Sequence, residues 1–282
     1  MPQMESHKFH DWQVFGFDSA PARLFDEIGS THTHMKEQAR KGLIPPGTLF
    51  VADSQNAGRG RHERTWSSPV GKNLYFNILI PLEGIPPKRF AQITQVAALT
   101  FAEVFTGMQE QQASDGTKIT VKWPNDILYG KSKFCGILSE IVYIPASTVS
   151  NSHGRTVPAL SMGVGINVNS DPEDYAELNR DVTTLKAILG HEVDRERLLK
   201  ALIGSLERAV KQFTAFGIAP WVNAWRKMDK FIGAPGTIIE LDLSGQPIRK
   251  HGKILDMQDD GSLKFECDDG TIETVYSADL EI

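Results

Sequence analysis

The sequence contains little cysteine and no long apolar run. Its two cysteines, Cys135 and Cys267, lie far apart among 282 residues and form no CxxC pair. A disulfide framework or a cysteine zinc site is therefore not expected. No apolar run approaches the ~18 residues needed to span a bilayer, and residues 1–8 lack the apolar core of a secretory signal. These absences predict a soluble protein of the reducing cytoplasm with no membrane partner.

The chain also has no net positive charge, since its 35 acidic residues outnumber its 30 lysines and arginines. The formal net charge is −5, whereas nucleic-acid-binding proteins usually carry a basic face. Residues 1–21 are polar with scattered aromatic side chains and show no helical period, which leaves no room for a helix-turn-helix module. We therefore expect an N-terminal extension over residues 1–21 and no DNA binding.

Cationic residues are concentrated in one segment, residues 53–66. Gly58 and Gly60 permit backbone angles that other residues avoid. Around them stand three arginines, whose planar guanidinium groups suit phosphate or carboxylate oxygens, and a tryptophan ends the segment. These four residues are Arg59, Arg61, Arg64 and Trp66. Cations beside a flat aromatic surface indicate a site for a nucleotide or an acyl nucleotide. The alternative is a solvated basic loop of a kind common on protein surfaces.

Three further segments place polar residues or glycines where buried strands would otherwise continue, namely Lys122–Asp126, Lys133–Leu138 and Gly163–Asn167. Pro124 supplies no backbone donor and should end a short strand, so we expect Asn125 and Asp126 at a strand end. Four such interruptions favour a single convergent site.

Hydrophobic periodicity predicts a mixture of strands and helices. Strands are expected over residues 48–53, 73–81, 118–123, 133–144 and 159–168. Helices are expected over residues 33–41 and 90–108, from a cap at Asp194 to Phe216, and around Trp221 and Trp225. After residue 231, short strands alternate with turns at residues 244–245, 259–261 and 268–270, which indicates a compact all-β unit.

Taken together, these motifs resemble the catalytic domain of biotin protein ligases over residues 22–282. The resemblance rests on the order and spacing of Ser30-Thr31, Gly-Arg-Gly-Arg at 58–61 with Arg64 and Trp66, Trp-Pro-Asn-Asp at 123–126, Lys133 with Gly136, and Gly-Ile-Asn ending at Asn167. It implies an α+β fold in which a mixed β-sheet packs against helices, as in class II synthetases. It also implies a catalytic domain over residues 22–231 and a small SH3-like β-barrel over residues 232–282.

The resemblance implies roles at the acyl substrate. Arg59 and Lys133 would be catalytic residues that hold the biotin carboxylate and the α-phosphate of ATP. The other residues expected to bind biotin are Ser30, Thr31, Gln55 and Gly136. Ser30 or Thr31 could instead serve only as a helix cap.

A second set of residues is implied at the nucleotide: Gly58, Arg59, Gly60, Arg61, Arg64, Trp66, Asn125 and Asn167. The arginines would assist with the phosphates as the loop closes, the tryptophan would cover adenine, and the asparagines would supply amide hydrogen bonds. Asp126 is the third expected catalytic residue. It would orient or deprotonate the acceptor lysine if burial raises its pKa.

By resemblance, the chain is expected to activate biotin with ATP to biotinyl-5′-AMP and to transfer biotin to a lysine. The acceptor would be the biotin carboxyl carrier domain of acetyl-CoA carboxylase or of another biotin-dependent carboxylase. Mg²⁺ is expected with ATP, and no protein ligands are assigned to it. A homodimer is one of the assemblies left open. Two alternatives are a lipoate or octanoate ligase or transferase of the same fold, and a non-catalytic biotin or nucleotide sensor. His62 and Glu63 stand where the family usually has a basic residue and a glycine, so loop closure or adenylate retention is expected to differ.

Overall fold

Two β-sheets and a set of helices make up the computed structural model, which describes residues 8–62, 64–109, 116–149, 155–178, 181–242 and 244–282. The larger sheet contains β1 (Ala22–Ile28), β2 (Leu49–Gln55), β3 (Leu74–Pro81), β4 (Ile119–Lys122), β5 (Asp126–Tyr129), β6 (Ser132–Pro145) and β7 (Thr156–Ile166). The smaller sheet contains β8 (Pro235–Leu241), β9 (Pro247–Met257), β10 (Leu263–Cys267), β11 (Ile272–Val275) and β12 (Asp279–Glu281). The helices are α1 (Thr31–Arg40), α2 (Gln92–Gln109), α3 (Leu185–Leu189), α4 (Arg195–Phe216) and α5 (Ala219–Met228).

The larger sheet is mixed, in the order β1-β2-β3-β7-β6-β5-β4. Strands β1 and β2 run parallel because helix α1 forms the crossover between them. The remaining neighbours are antiparallel. The expected α+β class with a mixed sheet against helices is therefore confirmed, and the second, antiparallel sheet is consistent with an SH3-like unit.

Helices cover both faces of the larger sheet. Side chains alternate between faces along a strand, so Leu49 and Val51 join the core beneath α2 and α4, whereas Phe50 joins a smaller cluster with α1. Burial on both sides explains why β2 and β3 read as nearly continuous apolar runs in the sequence. The sheet is consequently a rigid support for whatever its strand ends carry.

Helix α4 begins where the sequence predicts. The Asp194 carboxylate accepts a hydrogen bond from the Arg197 backbone N–H at 3.0 Å, as an N-cap residue should. The helix ends at Gly217, whose φ of 66° is easily reached without a Cβ atom.

The smaller sheet is hydrogen-bonded to the larger one through side chains. The Gly261 carbonyl accepts hydrogen bonds from Gln95 Nε2 at 2.7 Å and from Trp123 Nε1 at 3.1 Å. Lys122 Nζ donates to the Leu280 carbonyl at 3.1 Å. Strand β12 is thereby fixed beside the ends of β4 and β5.

Several boundaries differ from those expected. Strand β1, the short β5 and helix α3 were not predicted, and α1 begins two residues before the expected position 33. Asp126, expected at a strand end, is the first residue of β5 and follows a cis peptide bond at Trp123-Pro124. The segments 109–116 and 145–158, between predicted elements, fall partly outside the described residues. The second sheet begins at Pro235, and the domain boundary near residue 232 stays a prediction.

Residues 8–21 lie against the larger core. Trp12 and Phe17 are buried there, next to two short 3₁₀ turns at Phe9–Asp11 and Phe17–Ser19. Within the described ranges, none of the helices has the length and apolar character that crossing a membrane requires.

Candidate active site

One cleft brings most of the predicted site residues together. It is partly open to solvent and lies where α1, β2, β5, β6, β7 and β12 meet. Its predicted lining residues are Ser30, Thr31, Gln55, Arg59, Gly60, Arg61, Arg64, Trp66, Asn125, Asp126, Lys133 and Gly136. Gly58 and Asn167 belong to the predicted set but do not line the cleft.

Polar groups from α1 and β2 form one end of the cleft. Ser30 is the N-cap of α1, and its hydroxyl accepts a hydrogen bond from the Thr33 N–H at 3.4 Å. Gln55 Oε1 accepts two hydrogen bonds from Thr31, from the backbone N–H at 2.8 Å and from the hydroxyl at 3.0 Å. Ser30 therefore does act as a helix cap, and its position at the cleft means that the cap and a binding role are compatible.

A buried polar network continues this end of the cleft beneath His32. Asn77 Nδ2 can only donate, so the 2.9 Å contact makes His32 Nδ1 an acceptor and places the imidazole proton on Nε2. That Nε2 lies 3.1 Å from the Glu140 carboxylate. Burial lowers the pKa of His32 despite the opposing influence of Glu140, so the ring is neutral at pH 7.

Glu140 is held ionised by its neighbours. The pKa of Glu140 is lowered to about 2, chiefly by its hydrogen bond with His32 and also by its ion pair with Lys36. Burial of the carboxylate acts in the opposite direction but is outweighed. This end of the cleft is thus polar and internally hydrogen-bonded.

The arginine loop, defined as residues 58–62 and 64–66, is a narrow turn above the cleft. The Gly58 carbonyl accepts from the Trp66 N–H at 2.9 Å, and the Arg64 carbonyl accepts from the Gly60 N–H at 2.6 Å. A Cβ atom on Gly58 would lie 2.5 Å from the Trp66 carbonyl oxygen, so a glycine is required there. The structure thus assigns Gly58 to the base of the loop. Glu63, expected to affect loop closure, lies outside the described residues.

Lys133 is held over the cleft by Asp126 and by an aromatic ring. Its Nζ lies 2.5 Å from Asp126 Oδ1 and 5.3 Å from the centroid of the Trp66 ring, within the range of a cation–π contact. Lys122 Nζ lies 3.7 Å from the other Asp126 oxygen. Lys133 is therefore positioned from two sides.

The expected rise in the pKa of Asp126 does not occur. Burial by itself would raise it, but the charges of Lys133 and Lys122 outweigh burial, and the pKa is lowered. A general-base role for Asp126 was expected only if burial raised its pKa, and this condition is not met. The carboxylate remains ionised at pH 7.

Three glycines make part of the cleft wall flat. Gly136 and Gly165 are directly paired across β6 and β7, and the Trp66 indole lies against both. A Cβ on Gly165 would meet the indole at 2.4 Å, and one on Gly136 would meet Lys133 Nζ at 2.8 Å. Gly163 follows the same spacing and lies next to His32. Trp66 Nε1 is buried and has no hydrogen-bond acceptor among the described residues. The indole N–H that lies against this wall is therefore an unsatisfied donor.

The two predicted asparagines differ in position. Asn125 lines the cleft, donates to the Ile137 carbonyl at 2.7 Å and accepts from Arg61 Nη1 at 3.4 Å. Asn167 lies behind Trp66, where it lines a small adjoining pocket. Its Oδ1 accepts from the Tyr175 hydroxyl at 3.2 Å and its Nδ2 donates to the Thr183 carbonyl at 3.3 Å. The Asn167 amide is therefore engaged on both sides within the protein.

Sequence reasoning missed His32 and Asp279 as cleft residues, and it placed the segment Gly163–Asn167 at the site without giving Gly163 or Gly165 a role. The two glycines carried a usable signal, since residues two apart on a strand share a face. His32 directly follows Ser30-Thr31 and was detectable by proximity. Asp279 had no local signal, because only the packing of the second sheet brings it to the cleft.

No group of three histidine, cysteine or acidic side chains that could hold a metal ion occurs within the described ranges. The arrangement therefore consists of a polar end, a flat glycine wall, a fixed ammonium group and a cationic loop. Such a cleft can hold a small molecule with a polar head beside a flat base and can gather two anions at Lys133.

This fold and cleft define a protein–cofactor ligase scaffold. The sequence profile of the Biotin/lipoate A/B protein ligase family matches residues 24–167, about half of the chain. A bifunctional ligase/repressor BirA from Bacillus subtilis is 31% identical over 258 residues, which cover 91% of this chain and 72% of that protein. The chain belongs to the biotin/lipoate A/B protein ligase family.

Other relatives and solved structures are similar to this chain over most of its length. The biotin–[acetyl-CoA-carboxylase] ligase of Paracoccus denitrificans is 32% identical over 193 residues, covering 67% of this chain and 74% of that enzyme. A biotin protein ligase from Aquifex aeolicus, solved in complex with biotin and ATP, superimposes with a TM-score of 0.73 at 24% identity and covers 92% of this chain and 97% of that one. This likeness shows that the fold is shared.

Proposed function

We propose that this chain is an ATP-dependent biotin–protein ligase, which joins biotin and ATP into biotinyl-5′-AMP and transfers biotin to a lysine of a biotin carboxyl carrier domain. The observation that carries the proposal is the position of Lys133 Nζ in the cleft, 2.5 Å from Asp126 and 5.3 Å from the ring of Trp66 in the arginine loop. The family membership and the relatives named as biotin ligases support the same activity.

In the first half-reaction, a biotin carboxylate oxygen attacks the α-phosphorus of ATP, and pyrophosphate leaves. Both reactants are anions, so the protein must bring them together and stabilise the charge that builds on phosphorus. Lys133 and Arg59 are the proposed contacts for the carboxylate and the α-phosphate, while Arg61 and Arg64 are the proposed contacts for the other phosphates. Fixed cations in a partly buried cleft do this with little reorganisation.

The polar end of the cleft is the proposed site of the biotin head group. Ser30, Thr31, Gln55 and His32 offer donors and acceptors there, which suit a ureido ring better than the end of a linear fatty acyl chain. This polarity favours biotin over lipoate or octanoate. Gly136 and Gly165 let the Trp66 indole lie flat against the sheet beside the rest of the ligand.

Trp66 is the proposed partner of adenine. Its ring can stack on a base. Gly60 and Asn125 complete the nucleotide end. We place Asn167 behind this site, as support for Trp66 and residues 181–184, because its amide is already bonded to Tyr175 and Thr183.

In the second half-reaction, the acceptor lysine amine attacks the carbonyl carbon of biotinyl-5′-AMP, an amide forms, and AMP leaves. Asp126 is ionised and bonded to Lys133, so its proposed role is to orient Lys133. As a base for the acceptor lysine it would be weak, since its pKa lies far below that of an amine. Mg²⁺ is proposed to enter with the phosphates of ATP.

The test is a two-stage reaction with purified protein. Labelled biotin and MgATP should yield pyrophosphate and an acid-labile biotinyl adduct, and a biotin carboxyl carrier domain added afterwards should become biotinylated on one lysine. A carrier domain with that lysine replaced by arginine is the control. Pyrophosphate release with octanoate or lipoate but not with biotin would identify a lipoate-type ligase, and no release with any acid would contradict the proposal.

A further inference from the structure

A buried carboxylate from the second sheet faces the arginine loop. Asp279 opens β12 and is only 7% exposed. It lies 3.3 Å from Arg61 Nε and 3.4 Å from His62 Nε2, and it forms an ion pair with Arg64 Nη2. One anion from the C-terminal sheet thus contacts three side chains of a loop that is more than 200 residues away in sequence.

The carboxylate is fixed, whereas the loop is lightly held. Asp279 pairs with Ile239 of β8 in an antiparallel register. The next residue, Leu280, receives the hydrogen bond from Lys122, and Gly261 of the same sheet is bonded to Gln95 and Trp123. Within the loop, by contrast, the hydrogen bonds are those of a short turn. Asp279 is therefore the immobile partner in these contacts.

The contacts with Asp279 leave donor nitrogens of Arg61 and Arg64 free to bind a phosphate. Asp279 contacts Arg61 through Nε, while Arg61 Nη1 points to Asn125 in the cleft. A guanidinium group carries five N–H donors in a fixed fork, so an Arg61 held at Nε can still present its terminal nitrogens to a phosphate. Arg64 is 55% exposed at its side chain and likewise keeps free donors.

The charge balance also fits a positioning role. Burial, together with the charges of Arg61 and Arg64, lowers the pKa of His62, which leaves this imidazole neutral. One carboxylate then faces two guanidinium groups, and a net positive charge remains for an anion. A buried ion pair contributes little net stability on average because its desolvation offsets the attraction. Its main effect here is to fix where the arginines lie.

We propose that Asp279 is a positioning residue for ATP, which holds Arg61 and Arg64 against the cleft so that they meet the phosphates. The second sheet is thereby part of the nucleotide site. This inference rests on the proposed ligase function and deepens it, since it assigns to Asp279, a residue outside the arginine loop, a specific task in ATP recognition.

The test compares Asp279→Asn, which keeps the shape and removes the charge, with Asp279→Glu, which keeps the charge. In the full-length protein, Asp279→Asn should raise the KM for ATP about tenfold and leave the KM for biotin within about twofold. Asp279→Glu should stay within about threefold of the wild type for ATP. The exposed Asp268 of the same sheet provides the matched control, and Asp268→Asn should change neither constant.

Limited trypsin cleavage after the loop arginines gives a readout that does not depend on activity. Cleavage should be faster in Asp279→Asn than in the wild type or in Asp268→Asn, at equal melting temperature. If Asp279→Asn does not fold, Asp279→Ser is the second neutral variant.

An unchanged KM for ATP in a folded, neutral variant would overturn the inference. Equal increases in the KM for ATP and the KM for biotin, together with a lower melting temperature, would also overturn it, because they would indicate a structural role alone. Failure of the proposed function is distinguishable, because the wild type itself would then release no pyrophosphate from biotin and ATP.

Discussion

Replacing Lys133 by alanine should remove most of the biotin activation and little of the stability. A unit charge about 4 Å from a developing negative charge is worth about 4 kcal/mol at an effective dielectric constant of about 20. Loss of one oxyanion donor in other enzymes costs about 2.7 to 4 kcal/mol. We therefore expect kcat/KM for pyrophosphate release to fall by about 10² to 10³.

The cost to folding should be smaller because Asp126 is not left alone. Lys122 Nζ remains 3.7 Å from its second oxygen, and the charge of Arg61 also acts on it. Loss of the Lys133 hydrogen bond should lower the free energy of unfolding by about 1 to 2 kcal/mol. The activity loss and the stability loss are thus well separated.

The assay is pyrophosphate release with biotin and MgATP, with urea denaturation run on the same preparations. Lys131→Ala is the control, since Lys131 is an exposed lysine two residues away, and it should behave as the wild type. Normal turnover by Lys133→Ala would refute the assignment. A loss of activity that tracks the loss of folded protein would show that the charge at the α-phosphate is not what matters.

Three other variants test separate parts of the cleft and fold. Arg59→Gly should let biotinyl-5′-AMP escape, seen as biotin on bystander proteins by streptavidin blot; retention equal to the wild type would count against closure by the loop. Gly165→Ala places a Cβ atom 2.4 Å from the Trp66 indole, so it should displace the ring and raise the KM for ATP at least about tenfold, with unchanged kinetics contradicting the flat-wall assignment. Burial raises the pKa of Asp229 from 3.8 to about 6, so the folded state binds the proton more tightly, and unfolding free energy should fall by about 3 kcal/mol as pH rises from about 4 to above 6. Urea denaturation should show this slope in the wild type and lose it in Asp229→Asn, and equal slopes would show that Asp229 does not titrate there.

The sequence carries the local parts of this site well. The arginine loop is recognisable because glycine and arginine have few other reasons to alternate beside a tryptophan, and strands β2 and β3 are recognisable because β-branched and aromatic residues are bounded by turn residues. Helix α4 is visible from its apolar stripe and its Asp194 cap. These features depend on neighbours in sequence, where spacing and chemistry can be compared directly.

The parts that could not be predicted depend on long-range packing. Strand β5 has only four residues and too few side chains to show a period. The pKa of Asp126 depends on two lysines from β4 and β6, and these could be weighed against burial only once their distances were known. Asn167 is expected to bind the nucleotide because its motif ends a strand, and this stays a prediction; the hydrogen bonds of its amide to Tyr175 and Thr183 depend on the fold and could not be foreseen.

The paired glycines of β6 and β7 also determine which side of the cleft can adapt. Where Gly136 and Gly165 stand opposite one another, the Trp66 indole lies directly on the peptide planes, and there are no rotamers on the glycine side to rearrange. All conformational adjustment must then come from the opposite side, through Trp66 and the arginines. A rigid planar inhibitor group laid along the glycine wall would therefore have to displace the Trp66 indole, while substituents that point toward the loop will meet a surface that moves with them.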